Sequence, residues 1–219
     1  MQAPSILTLL FALAATVHLA LLISTARLRA GLAEWIVRAL LLGLLVDNIS
    51  LALSPVGLGS DWYVAANYLR YIAHAVVLPL LLVAGVLLAR RAGVRWLEGS
   101  GVLLAAGVLA VIGILFGLAT EVFGLMLVPE TLFGHTRLVS SSNLPPVATI
   151  LTNILLLPVG VAIWRSSAWP WLFAVTLLIL LVNGATAARD WGVISGNLVE
   201  IVFALGWLAT LRRFPATRD

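Results

Sequence analysis

The segment Asn67–Leu81, "NYLRYIAHAVVLPLL", decides the fold class of this chain. Its apolar residues belong to a stretch long enough to cross a lipid bilayer, which takes about 20 apolar residues. Asn67, Arg70 and His74 interrupt that stretch at intervals of three and four residues, so they share one face of a helix. Contact with lipid would penalise each of them. The segment therefore predicts a transmembrane helix whose polar face is turned towards other helices.

The composition of the whole chain also indicates a membrane protein. Of its 219 residues, 62% are hydrophobic and only 10% are charged, and the mean hydropathy is +1.12. A water-soluble domain carries far more charge on its surface. The net charge of +4 does not indicate nucleic-acid binding, because the basic residues occupy short loops between apolar segments. All 13 basic residues are arginine and cysteine is absent, which excludes Schiff-base lysines, disulfides and thiolate sites.

Seven apolar stretches predict an all-α integral membrane protein with seven transmembrane helices in a single domain, residues 1–219. The connections are short except for an outer loop, 121–144, between the fourth and fifth helices, where His135 is expected to be solvated. Asn143 is the predicted N-cap of the fifth helix. The seven predicted helices are Pro4–Ala26, Leu32–Ser54, Asp61–Ala89, Gly101–Thr120, Pro145–Trp164, Trp169–Ala188 and Gly192–Leu211.

The placement of arginine predicts the orientation. The side that follows the first, third, fifth and seventh helices holds Arg27, Arg29, Arg90, Arg91, Arg95, Arg165, Arg212, Arg213 and Arg218. The opposite side holds only Arg137 and Arg189. By the positive-inside rule, the N-terminus is outside and the C-terminus inside. We expect a multi-pass protein of the plasma or inner membrane, with membrane lipids as partners.

A weak internal repeat relates the second and sixth predicted helices. Trp35–Asp47, "WIVRALLLGLLVD", and Trp171–Asn183, "WLFAVTLLILLVN", share the spacing from tryptophan to a polar residue. Arg29 and Arg165 precede the two segments at equal distance. Three helices, a linker helix and three more helices would form a parallel 3+1+3 repeat. Most of the shared identities are leucine or valine, which also match by chance in so apolar a chain.

Ionisable and amide side chains from five predicted helices fall at one level in the outer half of the bilayer. An isolated charge at mid-bilayer costs about 2.5–3.5 kcal/mol, so Arg70 is expected to pair with Asp47 or Glu200. With two acids and one arginine, one carboxyl remains for acid–base chemistry beside a histidine. The expected catalytic residues are Asp47, His74 and Glu200. The expected substrate-binding residues are Asn48, Asn67, Arg70, Tyr71, Asn153, Asn183 and Asn197.

The same residues also fit a structural role. An Arg70–Asp47 ion pair would fix two helices against each other, and the asparagines would form hydrogen bonds between helices. His18 and His74 lie at similar depth, which raises the question of haem b, and with Asp47 and Glu200 they raise the question of zinc. No further haem signal and no HxxxH or HxxE spacing accompanies them. Neither a cofactor nor a metal is therefore predicted.

Two functions remain open. The first is an intramembrane enzyme that acts by acid–base chemistry on a lipid or isoprenoid-like substrate. The alternative is a small-solute or proton-coupled transporter, or a binding protein, that uses the same pocket. A lateral opening towards lipid favours the enzyme, whereas a water-lined funnel favours transport. The sequence does not decide between them.

Overall fold

The computed structural model describes residues 5–142 and 145–216, and these residues form a helical bundle. Short 3-10 turns lie at Thr25–Arg27 and Arg95–Leu97, and a π-helical turn lies at Leu118–Val122. Pro4, Asn143 and Arg218, which enter the predictions above, lie outside the described residues. The helices are α1 (Ile6–Ser24), α2 (Leu32–Ala52), the one-turn α3 (Ser54–Gly57), α4 (Asp61–Arg91), α5 (Ser100–Gly117), α6 (Val147–Ser167), α7 (Trp171–Thr186) and α8 (Gly192–Arg213).

All seven predicted helices are present, and their ends differ from the predicted ends by a few residues. Six helical segments are long and apolar enough to cross a membrane. The exception is α7, whose 16 residues span about 24 Å at 1.5 Å per residue, less than a bilayer core of about 30 Å. The chain is therefore an all-α polytopic membrane protein by length and composition of its helices.

The longest helix, α4, lies at the centre of the bundle and packs against α2, α5 and α6. Next to α6, α7 packs between α6 and α8. In turn α8 packs against α1 and α2. The apolar core is formed by buried side chains such as Leu40 of α2, Leu88 of α4, Leu156 of α6 and Trp207 of α8. This ring of contacts brings α1, α2, α4 and α8 together around one another, which is the setting of the polar residues described below.

Small residues bring α5 close to α4. A Cβ on Gly113 would lie 3.0 Å from Cβ of Pro79, and one on Gly117 would lie 3.2 Å from Cβ of Ala75. The two glycines are four residues apart, the spacing that lets helix backbones approach closely in membranes. Most of the remaining α5 surface is exposed. This helix is thus a peripheral element held to α4 by one narrow seam.

The outer loop contains a β-hairpin that the sequence analysis did not predict. Strands β1 (Leu127–Leu132) and β2 (His135–Ser140) pair in antiparallel register, with Leu132 opposite His135. Phe133 and Gly134 between them both have positive φ, 47° and 74°, as a two-residue hairpin turn requires. The hairpin therefore gives the loop a defined structure above the helices.

The prediction that His135 is solvated is wrong. Its side chain is only 2% exposed. Nδ1 lies 3.3 Å from Oγ of Ser5 and 3.2 Å from Oγ1 of Thr8, and Nε2 lies 3.2 Å from Oγ of Ser54. The ring also packs against Phe11. His135 therefore anchors the hairpin to the first turn of α1 and to α3.

Candidate functional site

The ion pair predicted for Arg70 is confirmed. Its Nε donates a hydrogen bond of 2.6 Å to Oδ1 of Asp47, which joins α4 to α2. Its Nη1 donates a second hydrogen bond of 2.7 Å to Oδ1 of Asn67, one turn earlier on α4. The amide of Asn67 in turn donates to the Tyr63 carbonyl at 2.8 Å. Asn67 is thereby fixed at both ends of its amide, and it holds the guanidinium in place against Asp47.

Glu200 is close to this pair but is not bound by it. The carboxyl, on α8, is under the electrostatic influence of both Asp47 and Arg70. Its Oε2 is buried and has no hydrogen-bond partner among residues 5–142 and 145–216. An ionised carboxylate normally accepts several hydrogen bonds, so an oxygen without one is available to a proton or to a ligand. Beside Arg70 there is thus one acid that is bound to a partner, Asp47, and one uncommitted acid, Glu200, whose Oε2 is not.

His74 lies one turn after Arg70 on α4 and faces a second acid. Its Nδ1 is 4.0 Å from Oε2 of Glu121, and its side chain is 38% exposed. Glu121 belongs to the π-helical turn that follows α5, and its Oε1 is buried without a partner in the described part of the chain. Sequence reasoning did not select Glu121 as a site residue. The only signal was an acid at the end of the fourth predicted helix.

The last polar residue of this site is His18, on α1. Its side chain is fully buried and lies within electrostatic range of Asp47. Apart from a weak contact with the Ala14 carbonyl one turn earlier, its ring nitrogens have no partner among the described residues. We define the polar cluster as His18, Asp47, Arg70, His74, Glu121 and Glu200. Within the ranges that the structure describes, no three His, Asp or Glu side chains are arranged to hold a metal ion.

Three of the predicted asparagines donate hydrogen bonds to backbone carbonyls within their own helices. Asn48 donates to the Leu44 carbonyl at 2.9 Å, and Asn153 and Asn197 likewise donate to a carbonyl one turn earlier. All three are buried, whereas Asn183 is exposed. The Oδ1 atoms of Asn48 and Asn197 have no partner in the described chain. The expected hydrogen bonds between helices are therefore not what holds these asparagines.

Tyr71 contributes to the hairpin. Its hydroxyl accepts a hydrogen bond of 2.8 Å from the Ser140 backbone N–H on β2. Tyr68, on the same helix, donates to the Leu125 carbonyl at 2.7 Å, just before β1. The hydroxyl that was expected to bind substrate is thus engaged by backbone. These two tyrosines hold the hairpin over the N-terminal part of α4, close to Arg70 and His74 in sequence.

Comparison of the chain with protein-family models, curated proteins and solved structures finds no match. Function is therefore inferred from geometry. Two cavities, of about 390 Å³ and 730 Å³, lie beside the turn between α4 and α5. Neither is lined by a residue of the polar cluster. Access to the cluster is instead provided by Asp47 and His74, whose side chains are 26% and 38% exposed.

Proposed function

We propose that this protein is an intramembrane enzyme that acts by acid–base chemistry on a lipid-like substrate. The observation that supports the proposal is the uncommitted carboxyl of Glu200 beside the fixed Arg70–Asp47 pair. A general acid or base needs a proton that can move, and it needs a rigid setting. Glu200 meets the first condition, and the hydrogen bonds of Arg70 meet the second.

Each group then has a distinct role. Glu200 takes a proton from the substrate, or gives one to it, at its free Oε2. Arg70 stabilises the negative charge that develops on the substrate, because its guanidinium is held in advance by Asp47 and Asn67. His74, with Glu121 at 4.0 Å, returns the proton through its exposed edge. Asp47 acts through Arg70, which makes it a positioning residue in this scheme.

The substrate class follows from the surroundings. The helices that carry the polar cluster are apolar enough to cross a membrane, so a substrate reaching the cluster passes through or beside lipid. Asp47 and His74 are 26% and 38% exposed, so the reactive polar part of such a substrate can reach the cluster from beside the helices. A lipid or isoprenoid-like molecule, with its tail left in the bilayer, fits this arrangement.

The proposal includes a topology. Seven crossings, with the N-terminus outside and the C-terminus inside, put nine arginines on the cytosolic side of a plasma or inner membrane. A helix as short as α7 crosses by local thinning of the bilayer or by snorkelling of flanking side chains. Its packing between α6 and α8 supports a crossing, because both neighbours are long enough to span.

A proton-coupled transporter is the second candidate. The observation in its favour is the group of titratable side chains around Asp47, namely His18, Glu200 and His74, with Glu121 next to His74, since such groups serve as proton relays in membranes. In that case the 3+1+3 repeat would provide the two halves that alternate.

A complementation experiment separates the two functions. The lipids of a deletion strain are profiled after complementation with the wild-type protein, with Glu200→Gln or with His74→Ala. The control is Glu98→Gln, which changes an exposed acid far from the cluster. If the protein is an enzyme, we expect a lipid precursor to accumulate in the deletion strain. Wild type and Glu98→Gln should then restore turnover, whereas the two cluster variants lower it by about 10²–10⁴-fold.

The opposite outcomes are equally clear. Unchanged lipids, together with proton flux into proteoliposomes that His74→Ala abolishes, would establish transport in place of catalysis. Full complementation by both Glu200→Gln and His74→Ala would show that the polar cluster is structural. Expression level and thermal stability of each variant are measured in detergent, so that loss of protein is not mistaken for loss of function.

A further inference from the structure

A second site lies at the other end of α4, away from the polar cluster. The cavity of about 390 Å³ is formed between the turn that follows α4 and the C-terminal half of α6. Its volume falls within the range of about 300–1,000 Å³ that is usual for ligand pockets. None of the residues that line it belongs to the polar cluster. Its chemistry is therefore independent of the proposed reaction.

The rim of this cavity is positively charged. Arg95 and Arg165 both line it, both are exposed, and neither forms an ion pair with a described residue. Among the residues that the structure describes, no acidic side chain lines the cavity. Trp96, which is largely exposed, lies beside Arg95. Two uncompensated guanidinium groups next to an exposed indole form a place that favours an anionic ligand.

The turn that carries this rim is held rigidly. Arg90 donates hydrogen bonds of 2.7 Å to the carbonyls of Leu97 and Gly99, which closes the turn between α4 and α5. Ser166 donates a hydrogen bond of 2.6 Å to the Ala92 carbonyl, which ties the end of α6 to the same turn. The backbone that carries Arg95 is thus fixed relative to the end of α6 before a ligand arrives, so that only the two arginine side chains remain to be ordered on binding.

The wall of the cavity is apolar and belongs to a membrane helix. Pro158, Val161 and Ala162 line it below Arg165. Pro158 is seven residues before Arg165 on α6, so the apolar wall extends about 10 Å from the charged rim at 1.5 Å per residue. A ligand that fills the cavity has an anionic head and an apolar tail.

We propose that this cavity binds an anionic phospholipid. The phosphate lies between Arg95 and Arg165, Trp96 packs at the level of the headgroup, and an acyl chain follows α6 past Ala162. Basic pockets between transmembrane helices hold acidic lipid headgroups in this manner, and tryptophan favours the same interfacial depth. The cavity would fix the orientation of the α4–α5 turn relative to α6 within the membrane.

The test uses the full chain purified in detergent and native mass spectrometry of bound phosphatidylglycerol and phosphatidylcholine. The variant R95Q/R165Q removes the rim charges, and R27Q/R29Q, two exposed arginines after α1, removes the same charge elsewhere. Ala162→Phe fills the apolar wall and leaves both arginines in place. We expect phosphatidylglycerol to bind wild type more tightly than phosphatidylcholine. We expect R95Q/R165Q to weaken that binding about thirtyfold.

Ala162→Phe should weaken binding of the lipid to a similar extent, whereas R27Q/R29Q should change it by less than about threefold. If R95Q/R165Q and R27Q/R29Q lowered the affinity for phosphatidylglycerol equally, the binding would come from a diffuse surface potential. This result would contradict a specific site at the cavity. If millimolar inorganic phosphate displaced the lipid and Ala162→Phe had no effect, the ligand of the cavity would be free phosphate. This result would contradict the proposal that the cavity binds a phospholipid. Because the arginines are exposed, the charge variants test the proposal even if Ala162→Phe folds poorly.

Discussion

Asp47 and Glu200 are two acids in one cluster with opposite relations to their surroundings. Asp47 is bound to Arg70 at 2.6 Å, whereas Oε2 of Glu200 has no partner among the described residues. Removing one partner of a buried ion pair leaves the other charge uncompensated, which typically costs 3–5 kcal/mol. Replacing Glu200 breaks no hydrogen bond at Oε2 and should therefore cost little. Stability measurements can therefore assign the two acids before any substrate is known.

We predict that Asp47→Asn lowers the free energy of unfolding by about 3 kcal/mol, at the low end of that range because Asp47 is 26% exposed. Glu200→Gln should change it by less than about 1 kcal/mol. The double variant Asp47→Asn/Arg70→Gln should recover part of the loss. Unfolding in mixed micelles measures all three. A larger loss for Glu200→Gln than for Asp47→Asn would contradict the division of roles.

At the scale of secondary-structure elements, the β-hairpin is attached to α1 and α3 by one buried histidine, His135. Burial is the main cause that lowers the pKa of His135, and the nearby charge of Arg137 lowers it further, against a smaller opposing contribution from the Leu51 backbone. A lowered folded-state pKa means that the neutral ring is favoured in the native hairpin. Its contribution to stability is complete above the unfolded pKa of about 6.5 and is lost as the pH falls through the folded pKa.

We therefore predict that the protection factors of the hairpin amides, which correct for the intrinsic pH dependence of exchange, decrease relative to those of α4 as the pH falls below about 6.5. His135→Gln keeps an amide that can bond to the hydroxyls of Ser5 and Ser54 but cannot titrate. It should remove the pH dependence and leave the hairpin partly protected. Persistence of the same pH dependence in His135→Gln would assign it to another group.

The contact between α6 and α7 depends on the absence of a side chain at Gly160. A Cβ there would lie 2.7 Å from Cα of Phe173, a backbone atom that cannot rotate away. Gly107 of α5 is a matched control, because a Cβ at that position meets nothing within 4 Å. Alanine substitutions at the two glycines thus distinguish the effect of close helix packing on stability from the effect of helix propensity.

Gly160→Ala should destabilise the protein by about 1–3 kcal/mol, since α6 and α7 must move apart. Gly107→Ala should be neutral or stabilise it by up to about 1 kcal/mol, because alanine favours the helix and no packing is disturbed. Thermal unfolding in one detergent compares them. Similar effects of the two substitutions would show that α6 and α7 are not packed as closely as the structure has them.

For the complete chain, α7 decides how many times the protein crosses the membrane. With seven crossings, reporter fusions after Arg95 and Arg213 lie in the cytosol and one after Asp190 lies outside. If α7 did not cross, the fusion after Asp190 would report the cytosol and the one after Arg213 the outside. We predict the first pattern, measured with paired reporters that are active on opposite sides of the membrane.

Much of this architecture could be predicted from local sequence. Length and apolar composition identify the helices, because a helix satisfies its backbone hydrogen bonds within its own segment. The pairing of Arg70 with Asp47 or Glu200 was also predictable, since charges inside the membrane are few and each needs a partner, and the structure selects Asp47. The glycines at 113 and 117 are four residues apart in the sequence, and this spacing permits the close contact of α5 with α4.

Other features were decided only by tertiary structure, because their partners are distant in the chain. His135 meets Ser54, 81 residues away, and Ser5, 130 residues away, so no local pattern shows that it is buried. Glu121 reaches His74 only because a π-helical turn ends α5 beside α4. The sequence by itself determined which segments are helices and which charges must pair. Folding decided which acid stays free, because that depends on how α2, α4 and α8 pack around Arg70.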